Sequence, residues 1–230
     1  MQVAALGLMA AAPALADTIR VAAGPDAQER LQAALIEAKA GDMVDIGAGR
    51  FDLTDGLSLD VNGVTIRGAG PDKTILSFKG QQAAGEGLLV TSDDVVLRDF
   101  AVEDARGDGI KSKGADQIVY KNIRVEWTGG PKETNGAYGL YPVESRNVLI
   151  DGAVVKGASD AGIYVGQSRN IIVRNSTAMF NVAGIEIENS YDADVHSNLA
   201  TRNTGGILIF DLPNLPQQGG HNIRVFSNRV

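Results

Sequence analysis

The chain contains no cysteine, which removes a disulfide framework and any thiolate-bound metal from consideration. Its two histidines, His196 and His221, are too few and too far apart for an imidazole metal cluster. Positive charge is scarce: 21 Lys and Arg stand against 28 Asp and Glu, a net charge of −7 that argues against nucleic acid and anionic membrane surfaces as partners. No apolar run is long enough to span a membrane. An uninterrupted helical window is also missing from most of the sequence, which excludes leucine-rich, ankyrin and TPR arrays.

What is present is repetition. Arg169 to Ser190, RNIIVRNSTAMFNVAGIEIENS, has an alternating run, a bend at Asn175 and a second alternating run from Gly184. Similar units begin at Asp93, Asp116, Arg146, Tyr191 and His221, so the period is roughly 20–30 residues, that of a solenoid. One column reads Val95, Ile118, Val148, Ile171, Ala193, Ile223, and two residues on it reads Leu97, Tyr120, Ile150, Val173, Val195, Val225. A glycine opens each second run, at Gly109, Gly139, Gly162, Gly184 and Gly206. Period two means strands with these apolar columns facing inward. The expected fold is all-β, a right-handed parallel β-helix whose rungs stack by parallel pairing. Asp99, Asn122, Asn175 and Ser197 share the bend, where short polar side chains suit turns and ladders, and the 28 glycines fit one or more tight bends per rung.

Taken in order, residues 1–16 read as a secretory signal peptide ending in Ala14-Leu15-Ala16, so the mature protein is expected to be periplasmic or secreted. No basic residue precedes the apolar run, so the first residue is expected to lie inside a longer signal. Residues 17–62 hold a cap and a degenerate first rung. Asp26 and Glu29 form a capping-box pattern that opens an amphipathic helix with Leu31, Ala34, Leu35 and Ala38 on one face, ended by Gly41. Such a helix plugs the open end of the solenoid. Residues 63–230 are β-helix rungs, with Val64, Ile66, Leu88 and Val90 in the columns. Gly68-Ala69-Gly70-Pro71 lacks the Lys-Ser/Thr and the helix of a phosphate loop and falls at a rung bend. Two insertions, 128–136 and 212–220, are expected to rise from opposite ends of one sheet face and bound a groove, or to be neutral surface loops. Val230 stops in mid-rung without a polar cap, which predicts a fragment of a longer chain with C-terminal rungs missing.

The residues between the inward positions of the second run form outer columns: Lys111, Tyr141, Tyr164, Glu186, Leu208, and beside it Lys113, Val143, Gly166, Glu188, Phe210. Rungs about 4.8 Å apart match the rise of a sugar chain, and Tyr141 and Tyr164 offer a stacking platform. Pro142 removes a ladder hydrogen bond and predicts a distortion beside Tyr141. Glu186 and Glu188 leave one strand on the same side, about 7 Å apart at the backbone, a spacing suited to an inverting glycosidase pair. The pair equally suits Ca²⁺ with Asn189 and Asp211, or an ordinary solvated face. A lyase or epimerase would instead need a base and a cation, for which Lys111 with Tyr141 or Tyr164 are candidates. Asp108 and Asp160, just before the strands, together with Lys113, Asn189 and Asp211, are the candidate substrate contacts. No dedicated metal site is expected.

The motifs NGAYGLYPVES, DAGIYVGQS, NVAGIEIENS and NTGGILIFDLPNLPQQGG resemble those of an exported bacterial family of parallel β-helix repeat proteins. More broadly, Asp17 to Val230 resembles the pectin-lyase-like superfamily. That resemblance implies the fold. It spans pectate lyases, polygalacturonases, alginate lyases, mannuronan epimerases and a periplasmic protein that assists copper loading. The Asp-Pro-His-Asp of the epimerases and the Asn-Thr-Asp, Gly-His-Gly and Arg-Ile-Lys of the polygalacturonases are missing, so no catalytic residue carries over. Two functions follow as expectations. One is an exported protein that binds, and acts on, a polysaccharide, acidic in the first instance. The other is a non-catalytic periplasmic scaffold or binding module for a protein or metal-loading partner.

Overall fold

The computed structural model describes residues 16–83 and 85–230, so the signal-peptide segment lies, but for Ala16, outside the described residues. The described chain winds into three parallel sheets of nine, seven and seven strands. A regular turn takes one strand from each, as in Arg169–Arg174, Thr177–Met179 and Ala183–Glu188. Each strand pairs in parallel with its equivalent one turn on: Val148 lies beside Ile171, and Ile171 beside Ala193. The first sheet therefore carries the first apolar columns inward, and Val95, Ile118, Val148, Ile171 and Ala193 are all buried. Toward the last turn the packing opens, and Val225 and Phe226 are each 45% exposed.

The chain turns sharply between the first and second sheets at Asp99, Asn122, Gly152, Asn175 and Ser197. Their φ values of 62°, 53°, 72°, 53° and 58° place all five in the left-handed region that Asn, Asp and Gly tolerate best. Stacking of the turns then links neighbours, as Asn122 Nδ2 donates to Asp99 Oδ1 at 2.8 Å. Inside the corners lies a second set of ladders. Ser145 N–H donates to Ser168 Oγ at 3.0 Å, and Ser168 N–H to Ser190 Oγ at 3.1 Å. At the next corner Ser176 N–H donates to Asn198 Oδ1, and Asn198 N–H to Asn228 Oδ1, at 2.9 and 3.0 Å. At the third, Ala158 N–H donates to Asn181 Oδ1 and Asn181 N–H to Asn203 Oδ1, both at 2.9 Å. These side chains satisfy backbone donors that the strands leave unpaired where the chain changes direction.

The glycines that open the third-sheet strands have a different cause from tight bends. None of Gly109, Gly139, Gly162 and Gly184 has a positive φ. A Cβ at Gly109 would instead sit 2.6 Å from the Gly139 carbonyl oxygen, and one at Gly139 2.6 Å from that of Gly162. The column exists because each turn lies against the next one's backbone.

The helix Ala27–Glu37 covers the N-terminal end, with Ala27, Leu31, Ala34 and Leu35 buried against the core. Ala38 is also buried but lies just past the last helical residue. A strand absent from the sequence reading, Thr18–Val21, precedes the helix and adds to the first sheet beside Met43–Ile46. The capping box does not form. Asp26 takes φ 55° and makes no side-chain cap bond, because its backbone is already turned left-handed at the helix entrance. The helix stops at Glu37, and Gly41, at φ 95°, belongs to the following turn.

Candidate functional site

The outer columns of the third sheet stand in the expected register: Lys111 beside Tyr141, Tyr164 beside Glu186, and Glu186 beside Leu208. Pro142 breaks the ladder as its missing N–H requires. Leu140 pairs with Ile163 and Val143 with Gly166, while Tyr141 and Pro142 are skipped. The distortion lies where Tyr141 meets Tyr164, whose ring centroids are 5.0 Å apart and edge-on.

A third ring completes the platform. Tyr138, just before the glycine that opens its strand, lies 4.6 Å from Tyr141 and 4.5 Å from Tyr164. With Ala161, Ala183 and Leu208 the three rings make a small apolar cluster on the outside of the solenoid. Alternation could not reveal Tyr138, since it falls outside the strand; the only available sign was a second Tyr in Tyr138-Gly-Leu-Tyr141. Burial pushes the hydroxyl pKa values of all three upward.

Neither glutamate is solvated. Glu186 is 8% exposed and Glu188 5%. The Tyr164 hydroxyl donates to Glu188 Oε2, and Gly166 permits this, because a Cβ there would meet the Tyr164 ring at 2.5 Å. Burial raises the Glu186 carboxyl to about 7, aided by the nearby charges of Asp160 and Glu188. The solvated-face reading of this pair fails, since both side chains are buried and Glu188 is engaged by the Tyr164 hydroxyl.

Lys111 heads the same column. Its Nζ lies 3.0 Å from Glu86 Oε1, 4.0 Å from Asp108 Oδ2 and 4.8 Å from the Tyr141 ring centroid. Burial works against its charge, but the bond to Glu86 and the charges of Glu86 and Asp108 prevail and raise its pKa. Asp108 accepts from Tyr138 N–H at 3.2 Å, and burial raises its carboxyl. Asp160 holds the start of the following turn through its carbonyl, which accepts from Val182 and Ala183 N–H. Lys113 stays exposed at the strand end and does not join this group.

The calcium arrangement does not assemble. Asn189 is 1% exposed and spends its amide on the 212–220 loop: Oδ1 accepts from Leu212 N–H at 2.7 Å, and Nδ2 donates to the carbonyls of Leu212 and Gln217, both at 2.9 Å. Asp211 accepts from Gly220 N–H at 2.9 Å and closes that loop. Among the described residues no group of three or more His, Cys, Asp or Glu side chains is placed to hold a metal ion. The loops do stand at opposite edges of the third sheet, 128–136 where the chain enters it and 212–220 where it leaves. Each is tied to its own corner. Asn135 Nδ2 donates to the Gly130 and Gly157 carbonyls at 2.9 and 2.6 Å, and Gln217 Nε2 to those of Asn189 and Ser168 at 2.7 and 3.1 Å. Among the described residues no helix is long and apolar enough to cross a membrane.

No curated protein matches the chain in sequence. Among solved structures it is similar to an alginate lyase from Paenibacillus sp. str. FPU-7, at 18% identity and a TM-score of 0.60, covering 93% of this chain and 95% of that one. It is also similar to the pectate lyase Pel9A, at 13% identity and a TM-score of 0.61, over 94% of this chain and 79% of that one. A third likeness is to the catalytic domain of a GH87 alpha-1,3-glucanase in complex with nigerose, at 18% identity and a TM-score of 0.55; 84% of this chain spans 40% of that one. At these identities the likenesses establish the fold and leave the chemistry to this chain's own side chains. Residues 58–215, more than half of the chain, match the family described as right handed beta helix region, and the protein belongs to that family.

Proposed function

We propose that this protein is an exported carbohydrate-active β-helix protein that binds a polysaccharide along the outer face of its third sheet and hydrolyses it. The observation that carries this reading is the placement of Glu186 beside the platform of Tyr138, Tyr141 and Tyr164. Sugar rings stack on such platforms, and a carboxyl raised to about 7 keeps a substantial protonated fraction at neutral pH, where an ordinary glutamate has almost none. Glu186 is then the general acid that protonates the glycosidic oxygen, and Asp160, one of the charges that raises it, is the carboxylate that activates water. Glu188 acts as a positioning residue by holding Tyr164.

Elimination and epimerisation fit less well. With Lys111, Tyr141 or Tyr164 as the base, both would need a neutral amine or a phenolate at working pH, whereas the pKa values of all three are raised. Glu86, Asp108, Asp160, Glu186 and Glu188 also outnumber Lys111 on this face, which favours a neutral glycan over a polyuronate. The second reading, a binding module without turnover, draws support from the tyrosines' packing on one another and from the engaged Glu188.

The test is a screen of the purified protein against neutral glucans, alginate and polygalacturonate, with and without Ca²⁺, following reducing ends, unsaturated-product absorbance and binding heat together. Hydrolysis predicts reducing ends without absorbance, abolished by Glu186→Gln with binding retained. Absorbance gain would overturn the hydrolytic reading, and heat without products would establish the binding module.

A further inference from the structure

We infer that the corner between the second and third sheets holds an anion-binding pocket, built by one cation from each of three successive turns. Lys79 follows the strand Thr74–Ser77, Arg106 follows Ala101–Glu103, and Lys132 follows Arg124–Glu126. Those strands are in register, Ser77 beside Glu103 and Glu103 beside Glu126, so the cations belong to turns stacked about 4.8 Å apart. All three line one depression of about 440 Å³, walled by Trp127 and the 128–136 insertion.

The charge balance there is unlike that of the rest of the molecule. Asp104 is the one carboxylate in the lining, and it is occupied: Oδ1 accepts from Thr128 N–H and Oδ2 from Thr128 Oγ1, both at 2.7 Å. Glu133, next to Lys132, faces the neighbouring depression with Phe180 and Arg202. Arg106 is held in place by the Gln82 carbonyl, to which Nη1 donates at 2.6 Å. None of the three cations forms an ion pair among the described residues, whereas Arg50, Arg124 and Lys156 on the adjacent sheet are all paired with glutamates. In a chain of net charge −7, three unpaired cations around one concavity are a focused positive field.

The walls are built rather than loose. Trp127 Nε1 donates to the Ala105 carbonyl at 2.8 Å, and Asn135 closes the insertion through its two carbonyl bonds. The ligand chemistry that fits is an oxyanion such as phosphate, sulfate or carboxylate, either free or carried on a polymer. This site lies off the sheet face assigned to catalysis and does not rest on that assignment.

The test is calorimetric titration of the whole protein at low ionic strength with inorganic phosphate and, separately, with polygalacturonate. Lys79→Gln with Lys132→Gln is the diagnostic double variant, since it leaves the Arg106 and Trp127 bonds in place. Saturable phosphate binding is expected, weakened at least about fivefold in the double variant and by added salt, and not weakened by Glu133→Gln. Polygalacturonate binding with the same sensitivity would assign the anion to a polymer, and phosphate binding alone would assign it to a free ion. Absence of binding by the native protein, or equal binding by the double variant, would overturn the proposal.

Discussion

Replacing Glu186 by Gln keeps the shape of a buried side chain and removes its charge. In the folded protein this carboxyl sits at about 7, against an ordinary value of 4.5. Between those values the folded chain keeps a proton that the unfolded chain has released. The stabilising linkage is therefore complete below 4.5 and is lost as pH rises through 7, where folding must bury a charge. At 1.36 kcal/mol per tenfold, the difference amounts to about 3 kcal/mol at pH 8 and less than about 1 kcal/mol at pH 5. Glu186→Gln should thus stabilise the protein at pH 8 by up to about 3 kcal/mol, with most of that gain gone at pH 5. Urea unfolding of both proteins at the two pH values reads the effect directly. The groups around it, Asp160, Glu188 and the Tyr138 hydroxyl, are unaltered in the comparison. A gain that is the same at both pH values, or a loss at pH 8, would refute the assignment of Glu186 as a carboxyl strained by burial and by its acidic neighbours. The same substitution should abolish the hydrolysis proposed above, so that stability and activity move in opposite directions.

Other perturbations test separate parts of the structure. Tyr164→Phe keeps the ring stack and removes the donor to buried Glu188, which should cost about 1.5–3 kcal/mol by urea unfolding at pH 7. Glu103, 7% exposed at its side chain, accepts from Arg50 and Arg124 at 2.9 Å each; Glu103→Ala leaves half-buried Arg124 with Glu126 and the Pro71 carbonyl and should cost about 1.5–3 kcal/mol, read as a lower thermal midpoint. Gly139→Ala drives a methyl onto Val155 and the Gly162 carbonyl, and a loss of about 1–3 kcal/mol is expected in the same assay. Leu31→Ala, at the fully buried face of the capping helix, should cost about 2–5 kcal/mol and increase light scattering as the covered strand edges open.

The columns were legible because a period of two leaves a mark in every turn, and Val148, Ile171 and Ala193 stack as the alternation requires. Pro142 was legible for the same reason, since a strand cannot hide a missing donor. Depth was not legible. Glu186 and Glu188 occupy outward positions, and outward normally means wet; here both are buried, and Tyr164 folds across Gly166 to reach Glu188, a contact between residues more than 20 positions apart. Tyr138 escaped because it precedes its strand and reaches the platform from a turn. Asn189 and Asp211 looked like ligands because amide and carboxylate groups cluster near a loop, yet that loop's own backbone consumes them. The capping-box pattern at Asp26 failed on backbone conformation, which spacing alone does not encode.

The corner ladders give the solenoid a direction. In the serine and asparagine ladders inside the corners, the backbone donor belongs to the earlier turn and the side-chain acceptor to the later one, as in Ser145 to Ser168 to Ser190 and Ser176 to Asn198 to Asn228. Peeling a turn from the C-terminal side therefore takes the side-chain acceptor away from a backbone N–H of the turn beneath it, whereas peeling from the N-terminal side leaves that acceptor on the turn that remains. Along these ladders, from Ser145 onward, each turn completes the corner of the one before it, so that fraying from the C-terminal side loosens the neighbouring corner as it goes.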